Sequence, residues 1–187
     1  MLHNQSDAAS NELLTPDGLC NLIKREYHPS IIASCKKVEE FLNSCQYGKD
    51  LSIESSELIH LVFMKLHDEI KHFFLKEAGL IFPIIQKNVK LEKDKENDKE
   101  NDKEKDKLHG SHIQKTLLET IHQRQQVIIN LLQKLRHLLQ DYNIQAKWHK
   151  DWKETVNEMF LLETKIYQWI HIEGSLLYPK LQSKHHN

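Results

Sequence analysis

Residues 77–83 read EAGLIFP and residues 173–179 read EGSLLYP. Each stretch opens on a glutamate, passes through two small and two aliphatic residues, and closes on an aromatic residue and a proline. Each also lies where a helix carries its apolar stripe. Glu77 falls in line with Ile59, Phe63, Leu66, Ile70 and Phe73, with Leu80 next. Glu173 falls in line with Val156, Met159, Leu162, Ile166 and Trp169, with Leu176 next. At 3.6 residues per turn these positions share one helix face. A lone ionised carboxylate in such a core costs several kcal/mol. A cation, a metal, a proton or hydrogen bonds must therefore satisfy both glutamates.

Two more segments carry the same period. The first opens at Thr15, a suitable N-cap, with Pro16 at the first helical position, and its stripe is Cys20, Ile23, Tyr27, Ile31, Cys35, Val38, Leu42 and Cys45. Gly48 is read as its end, and Pro29 is expected to kink it. The glutamate-bearing segments cover about 54–83 and 151–178. The remaining segment starts at the capping box Ser111–Gln114, with stripe Leu118, Ile121, Gln125, Ile128, Leu132, Leu135 and Leu139. With only five Gly and four Pro and no alternating pattern, the chain reads as all-α. Four amphipathic helices with short first and last connections predict an antiparallel up-down-up-down four-helix bundle.

The middle connection differs. Residues 93–107, KDKENDKENDKEKDK, hold no apolar side chain. They predict a charged, disordered linker over 91–110 inside a bundle spanning 15–181, with a disordered N-terminus at 1–14 and a tail at 182–187.

The formal net charge of −1, without a basic stripe, argues against nucleic acid or an anionic membrane as the main partner. No apolar run approaches the length of a membrane span, and the N-terminal residues lack a secretory pattern. Cys20, Cys35 and Cys45 share one segment and cannot bridge one another without bending it. They read as reduced thiols, with the cytoplasm as the expected location.

Candidate partners for the glutamates repeat the same symmetry. His28 precedes Glu77, and His122 precedes Glu173, by nearly equal distances, and each lies about a quarter turn off its own stripe. Gln125 and Gln126 add a polar break beside His122. Two imidazoles and two carboxylates converging in a bundle would suit iron, manganese or zinc. The competing reading is a buried carboxylate paired with a lysine or tyrosine. Three E-x-x-H pairs occur, Glu57/His60, Glu69/His72 and Glu119/His122, but His60, His72 and Glu119 point off their stripes. A ferritin-type oxidase is not expected; whether the chain is an enzyme of another kind stays open, with the balance against it and no residue assigned a catalytic role.

REYHPSI at 25–31, EIKHFFLKEAGLIFP at 69–83, the third segment and IHIEGSLLYPKL at 170–181 together resemble the hemerythrin-like domain, closest to the repair-of-iron-centres di-iron proteins. The resemblance covers roughly 20–180, with the charged linker as an insertion. It implies a bundle around a carboxylate-bridged pair of non-haem irons, with Glu77 and Glu173 as bridging glutamates and His28 and His122 as ligands. It implies oxygen or nitric oxide as a small ligand, iron–sulfur proteins as partners, and a role in cluster repair or stress response. Three further family histidines fall on Phe73, Trp169 and Tyr47. The alternative is a metal-free bundle of this descent, acting through protein–protein contacts.

Overall fold

The structure is a computed structural model that describes residues 15–44, 51–87 and 104–179, the side chains of 104–115 excepted. Among the described residues there is no strand. Helices α1 (Pro16–Leu22) and α2 (His28–Asn43) form one rod through a π-helical turn at Ile23–Tyr27. Helix α3 (Ile53–Lys76) continues into a π turn at Glu77–Ile81, and helix α5 (Lys150–Ile172) into one at Glu173–Leu177. Helix α4 (Glu104–Leu138) is α-helical throughout. The four rods pack on one core that includes Ile31, Phe63, Ile128, Trp152 and Trp169.

Local chemistry sets the helix starts. Thr15 Oγ1 accepts the Gly18 N–H at 3.1 Å, with Pro16 next in line. Ser52 Oγ accepts the Ser55 N–H at 3.2 Å. At α5 the cap is His149, whose Nδ1 accepts the Asp151 N–H at 3.4 Å. Each cap meets one of the N–H groups that the first helical turn leaves without a partner.

The first rod stays helical through Pro29, and three other expectations change. The missing N–H and the ring bulk of Pro29 are absorbed by the preceding π turn, where the His28 N–H reaches the Ile23 carbonyl. The second and fourth rods repeat this spacing. Phe82 N–H bonds Glu77 O before Pro83, and Tyr178 N–H bonds Glu173 O before Pro179. The chain therefore does not stop at Pro83 but stays helical to 87. Each π turn holds one extra residue, and this shifts the stripe beyond it. Leu80 is 54% and Leu176 36% exposed, while Ile81 and Leu177 take the core positions.

The third change is at the start of α4. It begins at Glu104, inside the tract expected to be linker, and not at Ser111. Glutamate and lysine are good helix formers, and an acidic first turn suits the helix N-terminus. The expectations for 1–14, 91–103 and 182–187, and for Cys45, Tyr47 and Gly48, lie outside the described residues.

Between α4 and α5, Gln140, Asp141 and Tyr142 all take positive φ, 51°, 56° and 58°. In this left-handed turn the Tyr142 ring lies under the Arg136 guanidinium, 5.8 Å away.

Candidate functional site

Glu77 and Glu173 are both fully buried, each at the first position of a π turn. Their carboxyls meet inside the bundle and influence one another's protonation directly. His28 comes in from the first rod, and its Nε2 lies 2.8 Å from Glu77 Oε2. The imidazole stacks on Phe74 at 3.8 Å between centroids, 13° from parallel, and on Phe82 at 5.9 Å. Across the site, the Gln125 amide donates to Glu173 Oε2 at 2.6 Å. Trp169 and Tyr178 lie against Glu173 and favour its charged form, although neither the indole N–H nor the hydroxyl closes a hydrogen bond of full geometry. One oxygen of each glutamate, Oε1, is likewise without a closed bond. The Cys20 thiol is close enough to feel both carboxylates.

The charge state follows from this packing. Burial, and then the Glu173 charge, hold the Glu77 carboxyl well above the usual carboxylate range. Burial raises Glu173 too, but the Gln125 amide bond and the neighbouring Glu77 carboxyl, Trp169 indole and Tyr178 hydroxyl pull the other way. Two carboxylates in one dry site cannot both ionise, so the pair keeps a proton, carried mainly on Glu77. His28 is pushed down to about 4 by burial and by Lys24. In its neutral form the imidazole can donate from Nε2 to Glu77 Oε2 whether or not Glu77 carries the proton on its other oxygen. Burial pushes the Cys20 thiol up to about 12, so it stays protonated.

Of the four ligands expected from the sequence, Glu77, Glu173 and His28 come together and His122 does not. His122 is exposed. The reason is the helix type. His28 and His122 start about equally far off their stripes, but the π turn at Ile23–Tyr27 turns His28 inward. Helix α4 has no π turn among its residues, so His122 stays outside and Gln125, three residues on, reaches the site.

Phe73 and Trp169, where the resemblance would call for histidines, fill the space. Their rings pack edge to face at 5.4 Å, and Phe74 meets Trp169 at 5.0 Å and 90°. The E-x-x-H residues do not converge: His72 is bound to the Asp68 carbonyl at 2.8 Å, and Glu69 meets Arg124 at 3.5 Å.

No family model matches the chain, and no curated protein matches it.

The residues do not suit a pair of irons. Among the described residues no three His, Cys, Asp or Glu side chains are set to hold a metal ion. The groups turned toward Glu173 are largely donors, an amide, an indole N–H and a hydroxyl, and an amide or indole N–H offers a cation no lone pair. Helical spacing alone did not reveal Trp169 and Tyr178 as Glu173 contacts. It did mark Gln125, as the one polar residue on the apolar stripe of α4.

Two further buried titratable residues, His67 and Glu163, were not singled out in the sequence. His67, 3% exposed, places Nδ1 2.9 Å from Glu39 Oε2. Glu163, 2% exposed, accepts from both Nε and Nη2 of Arg136, at 3.1 and 2.8 Å. Both tie neighbouring rods together away from the glutamate pair.

Proposed function

We propose that the chain is an antiparallel, hemerythrin-like four-helix bundle whose central carboxylates are held by a proton and hydrogen bonds rather than by iron, and that it acts as a metal-free module through contacts with other proteins. The cross-rod contacts support the antiparallel arrangement. His28 meets Glu77, while the later Glu39 meets the earlier His67. Ser34 meets Lys165, while the later Lys37 meets the earlier Glu158. Gln125 meets Glu173, while the later Arg136 meets the earlier Glu163. In every pair one partner's number rises as the other's falls.

The observation that carries the metal-free reading is the Gln125 amide on Glu173 Oε2 at 2.6 Å. An amide donor stands where an iron site needs a ligand, and the Trp169 ring fills the neighbouring space. A rigid bundle without metal chemistry has its surface left to work with. Ile53, Leu61 and Leu75 on α3 are each more than two-thirds exposed, and they are the first side chains to vary in a search for such contacts.

The second reading keeps iron, with oxygen or nitric oxide as the small ligand and iron–sulfur repair or stress response as the setting. What favours it is the pair of unbonded Oε1 atoms beside one imidazole. It requires His28 to release Glu77 and Gln125 to release Glu173. Metal analysis of the protein purified without a histidine tag, beside a Glu77→Ala, Glu173→Ala control, separates the two. The metal-free reading expects less than about a tenth of an iron per chain and no change on chelation. Near-stoichiometric iron that disappears in the control would overturn it.

A further inference from the structure

A second feature lies on the surface between α3 and α4. Glu69, His72, Phe73 and Lys76 from α3 and Arg124 from α4 line a half-open cleft of about 240 Å³. Two permanent cations face it against one carboxylate. Glu69 Oε2 touches only one terminal nitrogen of Arg124, at 3.5 Å, so it steadies the guanidinium and leaves most of its N–H donors unused. Lys76 makes no ion pair among the described residues. The His72 Nδ1 is held by the Asp68 carbonyl, 2.8 Å away, and this leaves Nε2 as the ring nitrogen open to a ligand. Phe73, 4% exposed, closes the back of the cleft against Trp169.

We infer that this cleft binds a small phosphate-type oxyanion, either inorganic phosphate or the phosphate of a small monoester. Two cations of different shape converge from two rods, a point cation and a planar fork, beside an imidazole whose Nε2 accepts because its ring proton is on Nδ1. A hydrogen phosphate can accept from both cations and donate its P–OH to Nε2, and it offsets the surplus positive charge. A carboxylate presents only two oxygens in one plane and matches the set less well. The cleft is too short and too isolated for a polymer backbone, and the whole chain carries a net charge of −1 with no basic track leading away. The cleft adjoins the glutamate pair through Phe73 and Lys76, but the proposal does not depend on how that pair is held.

The test is a titration of the isotope-labelled full chain with inorganic phosphate, followed by amide and histidine-ring NMR shifts, with chloride matching the ionic strength. Saturable shifts confined to 69–76 and the neighbourhood of Arg124 are expected. Combining Lys76→Ala with Arg124→Ala should weaken binding roughly tenfold or more, the scale of one or two lost charge-assisted bonds. Both side chains are exposed, so the variant should keep the wild-type circular dichroism. Lys150→Ala, on a surface lysine paired with Glu154 at 3.7 Å, should leave the affinity unchanged. A glycerol phosphate arm tests whether a monoester also fits, and an acetate arm tests the anion class. Shifts spread over all surface lysines, no saturation, equal binding of acetate, or full affinity in the double variant would each overturn the proposal.

Discussion

Replacing Glu77 by glutamine tests the shared proton through the pH dependence of stability. The folded carboxyl pair holds a proton that the unfolded chain releases above the ordinary glutamate range. A folded pKa raised in this way gives stability that is present at low pH and lost as the pH rises toward that folded value. His28 works in the opposite sense. Its folded pKa is lowered from 6.5 to about 4, so its contribution is present above 6.5 and is lost as the pH falls. Between roughly pH 4.5 and 6.5 the folded state holds one extra proton on the pair and lacks one on His28, and the two slopes nearly cancel. Above pH 6.5 only the pair remains. Wild-type stability should then fall by about 1.4 kcal/mol for each pH unit over which the pair keeps its proton.

Glutamine reproduces the shape and hydrogen bonding of a protonated Glu77: its carbonyl accepts from His28 and its amide faces Glu173. Glu77→Gln should therefore cost less than about 1 kcal/mol at pH 7. It should also abolish the decline above pH 6.5, so that the variant overtakes the wild type in alkaline solution. Urea unfolding of both proteins at pH 6, 7 and 8 reads this directly. Parallel pH profiles, or a loss of about 3 kcal/mol or more at pH 7, would refute a protonated Glu77.

Gln125→Leu leaves Glu173 Oε2 buried without its 2.6 Å donor and should destabilise by about 2–3 kcal/mol in urea unfolding, more than Gln126→Leu on the exposed face. The π-turn register separates two adjacent leucines: Leu177→Ala, fully buried, should cost about 2–5 kcal/mol, and Leu176→Ala well under half of that, by thermal or urea unfolding. Arg136→Ala strips the partner from Glu163, 2% exposed, and should cost about 2–3 kcal/mol, with Arg136→Lys recovering only part because a lysine cannot present both nitrogens.

The apolar stripes gave away most of the architecture. Ile59, Phe63, Leu66 and Ile70 on one rod, and Ile121, Ile128, Leu132 and Leu135 on another, lie in the core where a period of 3.6 puts them. The buried glutamates were legible for the same reason: a charged residue on a core stripe has nowhere else to point. The register beyond them was not, because a uniform helical wheel has no place for an extra residue. The mark of that residue was nonetheless in the chain. Proline follows the first residue of each π turn at the same distance, in Ile23/Pro29, Glu77/Pro83 and Glu173/Pro179. A proline two residues past a π turn removes one N–H and crowds one carbonyl, and the wider turn absorbs both. The same effect separates His28 from His122, which spacing alone could not tell apart. The start of α4 was missed for another reason. A tract of Lys, Glu and Asp can be solvated and helical at once, and the absence of apolar residues speaks only to burial.

The infrared spectrum of the protein near pH 7 tests the central claim most directly. A carboxylic acid kept protonated inside the bundle has a carbonyl stretch well resolved from ionised carboxylates and from the amide bands. The account predicts that band in the wild type, shifted on deuterium exchange and absent from Glu77→Gln. A spectrum with no protonated carboxyl at neutral pH, or a band that survives unchanged in Glu77→Gln, would contradict it.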